Sequence, residues 1–182
     1  MLDPHFAAHF EAQRRAMEGR PAPVASAAPP DMVRAGYRAG RMATDRNPPQ
    51  DLDVRDLSVG EEGVIPARLY IPHDAPATGP GVVYFHGGGF VIGDLDSHDG
   101  HCRRMAAYAG VRVLAVDYRL APEHPFPAGH DDALAATRWA FDHAAEIGFD
   151  PARITVAGDS AGGNLAAVAA QDLRGDHARR GK

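Results

Sequence analysis

The chain has 182 residues, of which 45% are hydrophobic and 24% charged, and a formal net charge of −5. That length allows one hydrophobic core with a small appendage, and the composition is globular, which excludes fibrous or largely disordered classes. The acidic balance, with basic residues scattered among acids and no basic stripe, excludes nucleic acid as the expected partner.

Leu2, Phe6, Phe10 and Met17 recur near helical spacing and predict an amphipathic helix over 2–18. A Pro/Ala-rich linker from Arg20 to Pro30 leads to a second predicted helix, Asp31 to Ala43, closed by the break at Asn47-Pro48-Pro49. These helices are expected to form a separate segment over residues 1–45, with the core in 46–182; a plain packing pair is one reading of them. From Leu52 the pattern turns to strands. Ile65, Ala67, Leu69 and Ile71 alternate with Pro66, Arg68 and Tyr70, and the Gly60-Glu61-Glu62-Gly63 turn joins this half-buried strand to the run before it as a hairpin. Continuous apolar strands follow at 81–86, 111–117 and 153–158, separated by helices near 98–109 and 129–147. Such alternation predicts right-handed crossovers and a mostly parallel sheet with helices on both faces. No internal repeat is found.

Gly158-Asp159-Ser160-Ala161-Gly162 directly follows the last of these strands and opens an alanine-rich helix. Small residues at 158 and 162 let a strand and a helix meet in a sharp turn, which lifts Ser160 above the sheet as a nucleophile would need. The helix N-terminus then offers the Ala161 N–H to a developing oxyanion. Alone, this pattern is as often an ordinary glycine turn. A second motif, His86-Gly87-Gly88-Gly89-Phe90, also follows a buried-strand pattern, Val82 to Phe85. Its consecutive glycines leave N–H groups unshielded, so both motifs aim donors at one oxyanion. His86 is expected to be a buried histidine that holds this loop.

A third segment, Asp117-Tyr118-Arg119-Leu120-Ala121-Pro122-Glu123-His124-Pro125-Phe126-Pro127, follows the strand 111–117. With the three motifs in this order, the chain resembles the hormone-sensitive-lipase-like family of α/β-hydrolase esterases, in the subgroup with Asp before the nucleophile. The resemblance covers about residues 45 to 175, and more weakly residues 1 to 44, where it implies a helical N-terminal cap over the substrate entrance. It implies an α/β-hydrolase fold and carboxylic-ester hydrolysis through an acyl-enzyme, with Ser160 as nucleophile and Gly88, Gly89 and Ala161 as oxyanion donors. It implies a small-molecule ester as partner and no metal or organic cofactor. The third segment is expected to be structural, with Arg119 paired to Glu123.

The family takes its acid and histidine from loops after later strands. After Ser160 this chain has only Asp172, Asp176 and His177, which a continuing helix of 1.5 Å rise per residue carries far from the hydroxyl. The expectation is therefore a fold incomplete at its C-terminus and inactive, or nearly so, as it stands; His124 and His130 break the family order as surrogate bases. A non-catalytic ligand-binding module remains open, since the plant gibberellin receptor resembles this family, as does a fragment with no function of its own. His98, His101 and Cys102 are read as helix placement, not metal ligands, since neighbours 101 and 102 face different ways. The single cysteine fits a reducing compartment, Met1 to Arg20 lack a signal pattern, and no run approaches membrane-spanning length. A soluble cytoplasmic protein is expected.

Overall fold

The structure is a computed structural model that describes residues 28–174 together with 7, 8, 11, 12, 14, 15 and 18. Of the predicted first helix, the described residues Ala7, Ala8, Glu11, Ala12, Arg14 and Arg15 are helical, while Leu2, Phe6, Phe10 and Met17 lie outside the described residues. Helix α1 (Pro30–Thr44) follows, close to its predicted span. The hairpin comes next: β1 (Leu52–Val59) pairs antiparallel with β2 (Ile65–Pro72) from Leu52↔Pro72 to Val59↔Ile65. Its turn is closed by the Gly63 N–H donating to the Gly60 carbonyl at 3.1 Å, with both glycines at positive φ.

The remaining elements are β3 (Gly79–Phe85), α2 (Asp99–Ala109), β4 (Arg112–Val116), α3 (Ala128–Asp142), β5 (Phe149–Gly158) and α4 (Ala161–Asp172). The sheet order is β1-β2-β4-β3-β5, with β4 and β5 parallel to β3, and β2 antiparallel to both β1 and β4. Only β2 therefore runs against the other strands. Parallel strands must be buried on both faces, and alternate residues of β3 divide accordingly. Val83 and Phe85 join Leu114, Val116, Ala133, Ala136 and Leu165 in the core under α3 and α4, whereas Val82 and Tyr84 join Tyr70, Val113, Cys102 and Ala106 under α2. Helices thus cover both faces, as predicted.

Two boundaries differ from the sequence pattern. The helix expected over 129–147 stops at Asp142, yet Ala144 and Ile147 stay buried, so the apolar spacing continues through turns until Gly148 at φ 70. Strand β5 starts at Phe149, earlier than expected, and contains Pro151. Pro151 falls in the register irregularity between the pairs Gly79↔Phe149 and Gly81↔Ile154, where the ladder asks no hydrogen bond of its missing N–H.

Candidate active site

Strands β3 and β5 end side by side, at the pair Phe85↔Gly158. From β3 the chain crosses to β4 on one side, then returns to β5 on the other, so the crevice beyond these two carboxyl ends is a point where strand order reverses. Both glycine motifs leave the sheet there.

Ser160 has φ 51 and ψ −116, a region that non-glycine residues enter only at a cost of about 1–3 kcal/mol. Close packing around it holds the turn. A Cβ built on Gly162 would lie 1.9 Å from the Phe85 carbonyl oxygen, and one on Gly158 would lie 2.3 Å from the Gly162 carbonyl carbon. The start of α4 thus rests directly on the end of β3, with hydrogen as the only side chain that fits. The Gly162 N–H donates to the Asp159 carbonyl at 2.8 Å, and the Asn164 N–H to the Ser160 carbonyl at 3.1 Å, closing the first helical turn.

The facing loop turns on Gly88 at φ 133 and Gly89 at φ 61, with Phe90 also at positive φ. The Gly88 carbonyl accepts from the Val91 and Ile92 N–H groups at 3.1 and 3.0 Å, and a Cβ at Gly88 would strike the Ile92 carbonyl. Among the described residues, the N–H groups of Gly88, Gly89 and Ala161 donate to no protein acceptor, and the Ser160 hydroxyl makes no hydrogen bond.

His86 is buried, as expected of a histidine that holds the loop. Its Nδ1 lies 2.9 Å from the Gly87 carbonyl, its ring stacks on Tyr118 at 4.4 Å, and its own carbonyl accepts from the Tyr118 hydroxyl at 2.7 Å. The His98 ring also stacks on that of His86, at 5.3 Å. Burial lowers the pKa of both imidazoles, that of His98 to about 4. Asp117 moves the other way: burial, with the carboxylate of Asp94 adding, raises it to about 6. Burial works to raise Asp159 as well, but hydrogen bonds from the Tyr84 hydroxyl and the Gly87 N–H hold it below the usual carboxylate range.

The predicted Arg119–Glu123 pair does not form. Four-residue spacing brings side chains together on a helix, and no helix spans 119–127. Arg119 instead binds buried Asp132 of α3, with its guanidinium at 2.7–3.0 Å and its backbone N–H at 2.9 Å. Glu123 accepts from Arg34 of α1 at 2.6 Å. Sequence reasoning missed this anchoring of α1, in which Arg34 also donates to the Val91 and Ala121 carbonyls and Arg38 to Asp94, tying the helix to the loops beside the glycine motif. The spacing of Arg34, Arg38 and Arg41 along one helix face was the available signal. His130 Nε2 lies 3.4 Å from Asp172 Oδ2 at the last residue of α4, on the order of 18 Å along the helix axis from Ser160. That pair is not beside the serine. His101 lies against Tyr84 at 5.3 Å, and buried Cys102 belongs to the same apolar cluster as Tyr84. A cavity of about 570 Å³ adjoins the glycine loop, walled by Gly89, Phe90, Ala121, Phe126, Leu165 and Val168.

A serine at positive φ between a parallel strand and a helix, beside a glycine loop at the neighbouring strand's end, has the geometry of an α/β-hydrolase nucleophile elbow. The family described as alpha/beta hydrolase fold matches residues 82–180, more than half of the chain, and the chain belongs to that family. It is 57% identical to Esterase LipI of Mycobacterium tuberculosis over 127 residues, covering 68% of this chain and 40% of that protein. It is 51% identical over 139 residues to Carboxylesterase NlhH of the same species, covering 74% of this chain and 44% of that one. Among solved structures, the Pyrobaculum calidifontis esterase superposes with a TM-score of 0.80 at 40% identity, over 97% of this chain and 55% of its own. The chain thus spans about half the length, or less, of these relatives.

Proposed function

We propose that this chain carries the nucleophile half of a carboxylic-ester hydrolase site. Ser160 Oγ attacks the ester carbonyl, the N–H groups of Gly88, Gly89 and Ala161 take the oxyanion, the alcohol leaves, and water releases the acyl group. The observation that carries this reading is the unpaired hydroxyl of Ser160, raised at φ 51 beside a loop whose glycine amides are also unpaired. The apolar cavity beside Gly89 suits the hydrocarbon part of a small ester. The curated relatives named esterase and carboxylesterase support the same class.

In this proposal residues 1–45 cap a core over 46–182, α1 being tied to the loops at the site's rim. No helix among the described residues is long and apolar enough to cross a membrane, and Cys102 is free and buried. We take the single cysteine to fit a reducing, cytoplasmic site of action, and the net charge of −5 without a basic stripe to argue against a nucleic-acid partner.

A serine without a hydrogen-bonded base stays protonated, so the chain alone is expected to turn over short-chain p-nitrophenyl esters at no more than a small residual rate. The test is an organophosphate probe with intact-mass and peptide analysis. A single adduct at Ser160, absent in Ser160→Ala, is expected; labelling elsewhere overturns the assignment. The unpaired hydroxyl also favours a second reading, a non-catalytic ligand-binding module. Tight reversible binding of ester analogues without any adduct would select it.

A further inference from the structure

The three candidate oxyanion donors come from two separate loops, Gly88 and Gly89 after β3 and Ala161 after β5. An oxyanion must lie about 2.7–3.1 Å from each donor, so the distance between the loops has to be held within a few tenths of an ångström. The strand ladder cannot hold it, because pairing ends at Phe85↔Gly158. Beyond that pair, among the described residues, the hydrogen bonds that join the two loops run through one side chain. Asp159 Oδ1 accepts from the Gly87 N–H at 2.8 Å and from the hydroxyl of Tyr84, a buried residue of β3, at 2.6 Å. The fit is close, since a Cβ on Gly87 would fall 2.1 Å from Asp159 Oδ2. Buried His98 holds its Nε2 3.8 Å from Oδ1, beyond hydrogen-bond length.

The geometry points to Asp159 as a positioning residue: its carboxylate sets the spacing between the two halves of the oxyanion site, and Tyr84 acts through it. This rests on the reading of Ser160 as an acyl-transfer nucleophile. A backbone misplacement of about 1 Å can cost on the order of 100-fold in rate without any loss of binding contacts, which sets the scale of the effect.

The test uses the 182-residue chain, p-nitrophenyl diethyl phosphate as probe, and the variants Asp159→Ala, Asp159→Asn and Tyr84→Phe. In the covalent step the Ser160 oxygen bonds to phosphorus, p-nitrophenolate leaves with the electron pair of the broken P–O bond, and the serine proton passes to water. The concentration dependence of p-nitrophenolate release separates this step from reversible binding. Asp159→Ala is expected to slow the covalent step about 10- to 100-fold while the binding constant stays within about twofold. Asp159→Asn keeps an acceptor at Oδ1 and recovers most of the rate. Tyr84→Phe has a smaller effect and adds nothing to Asp159→Ala, as befits a residue acting through another. In parallel, amide hydrogen exchange over residues 85–93 is expected to accelerate in Asp159→Ala, with α3 unchanged. Unchanged exchange in that loop, or an unchanged covalent rate, overturns the proposal. Faster loop exchange in a protein whose parent forms no Ser160 adduct upholds the clamp and removes the hydrolase reading instead.

Discussion

Replacing Gly162 by alanine places a methyl group against backbone that cannot turn aside. The built Cβ lies 1.9 Å from the Phe85 carbonyl oxygen, 2.5 Å from its carbon and 2.7 Å from the His86 carbonyl oxygen. Restoring an ordinary contact needs a shift of more than about 1 Å between the start of α4 and the end of β3, and overpacking of this kind costs typically 1–3 kcal/mol. The clash is with rigid main chain on two residues, so the upper end applies, about 3 kcal/mol. The helix-propensity gain of Gly→Ala offsets at most about 1 kcal/mol, leaving a net loss of about 2 kcal/mol. For a protein of this size that lowers Tm by about 4–8 °C. Thermal unfolding followed by circular dichroism measures it, with two internal comparisons. At Gly163 the added Cβ meets the Gly158 carbonyl, oxygen at 3.2 Å and carbon at 3.8 Å, so Gly163→Ala is expected near neutral. At Gly36 in α1 nothing lies within 4 Å, so Gly36→Ala is expected to stabilise the helix slightly. A Gly162→Ala protein as stable as Gly36→Ala would refute the claim that close backbone packing enforces the turn at Ser160.

Asp132→Ala strips the partners from both the guanidinium and the backbone N–H of Arg119 and is expected to destabilise by about 1–3 kcal/mol, measured as a lowered urea midpoint. Tyr118→Phe leaves the buried His86 carbonyl without its donor, and a loss of about 1–2 kcal/mol is expected in the same assay. Asp117 titrates near 6 in the fold against 3.8 as a free group, so its buried charge opposes folding above about pH 6 and ceases to below 3.8. Asp117→Asn is therefore expected to raise Tm at pH 7.5, and its advantage to shrink as pH falls from 6 to 4; equal Tm values at pH 7.5 would contradict the burial argument.

The strands around the site were legible because parallel strands, buried on two faces, leave uninterrupted apolar runs such as Val82 to Phe85. Their ends were legible too, since Gly158, Gly162 and Gly88 are required by close backbone approaches that no other residue tolerates. Spacing alone could not end α3, because Ala144 and Ile147 keep a helical pattern of burial in a segment that has left the helix. Partner choice was less accessible still. Arg119 lies four residues from Glu123, yet each finds its charge on an element remote in sequence, α3 and α1 respectively. Asp159 was visible only as part of a motif, since its bond to Tyr84 spans 75 positions of the chain.

Helix α1 has no buried residue; it is attached through Arg34, Arg38 and Arg41 to carbonyls and carboxylates of the body. Apart from half-buried Pro30 and half-buried Tyr37, whose ring lies 6.2 Å from that of His98, the helix side chains are polar or exposed, and heat-capacity change follows apolar area, so the equilibrium between attached and free helix should carry a small ΔCp and shift only gently with temperature. Added salt acts where temperature does not. At physiological ionic strength the Debye length is about 8 Å, and at 1 M it falls to about 3 Å, near the length of the contacts themselves. The rim of the site is thus held by an attachment that ionic strength loosens while the apolar core beneath it stays intact.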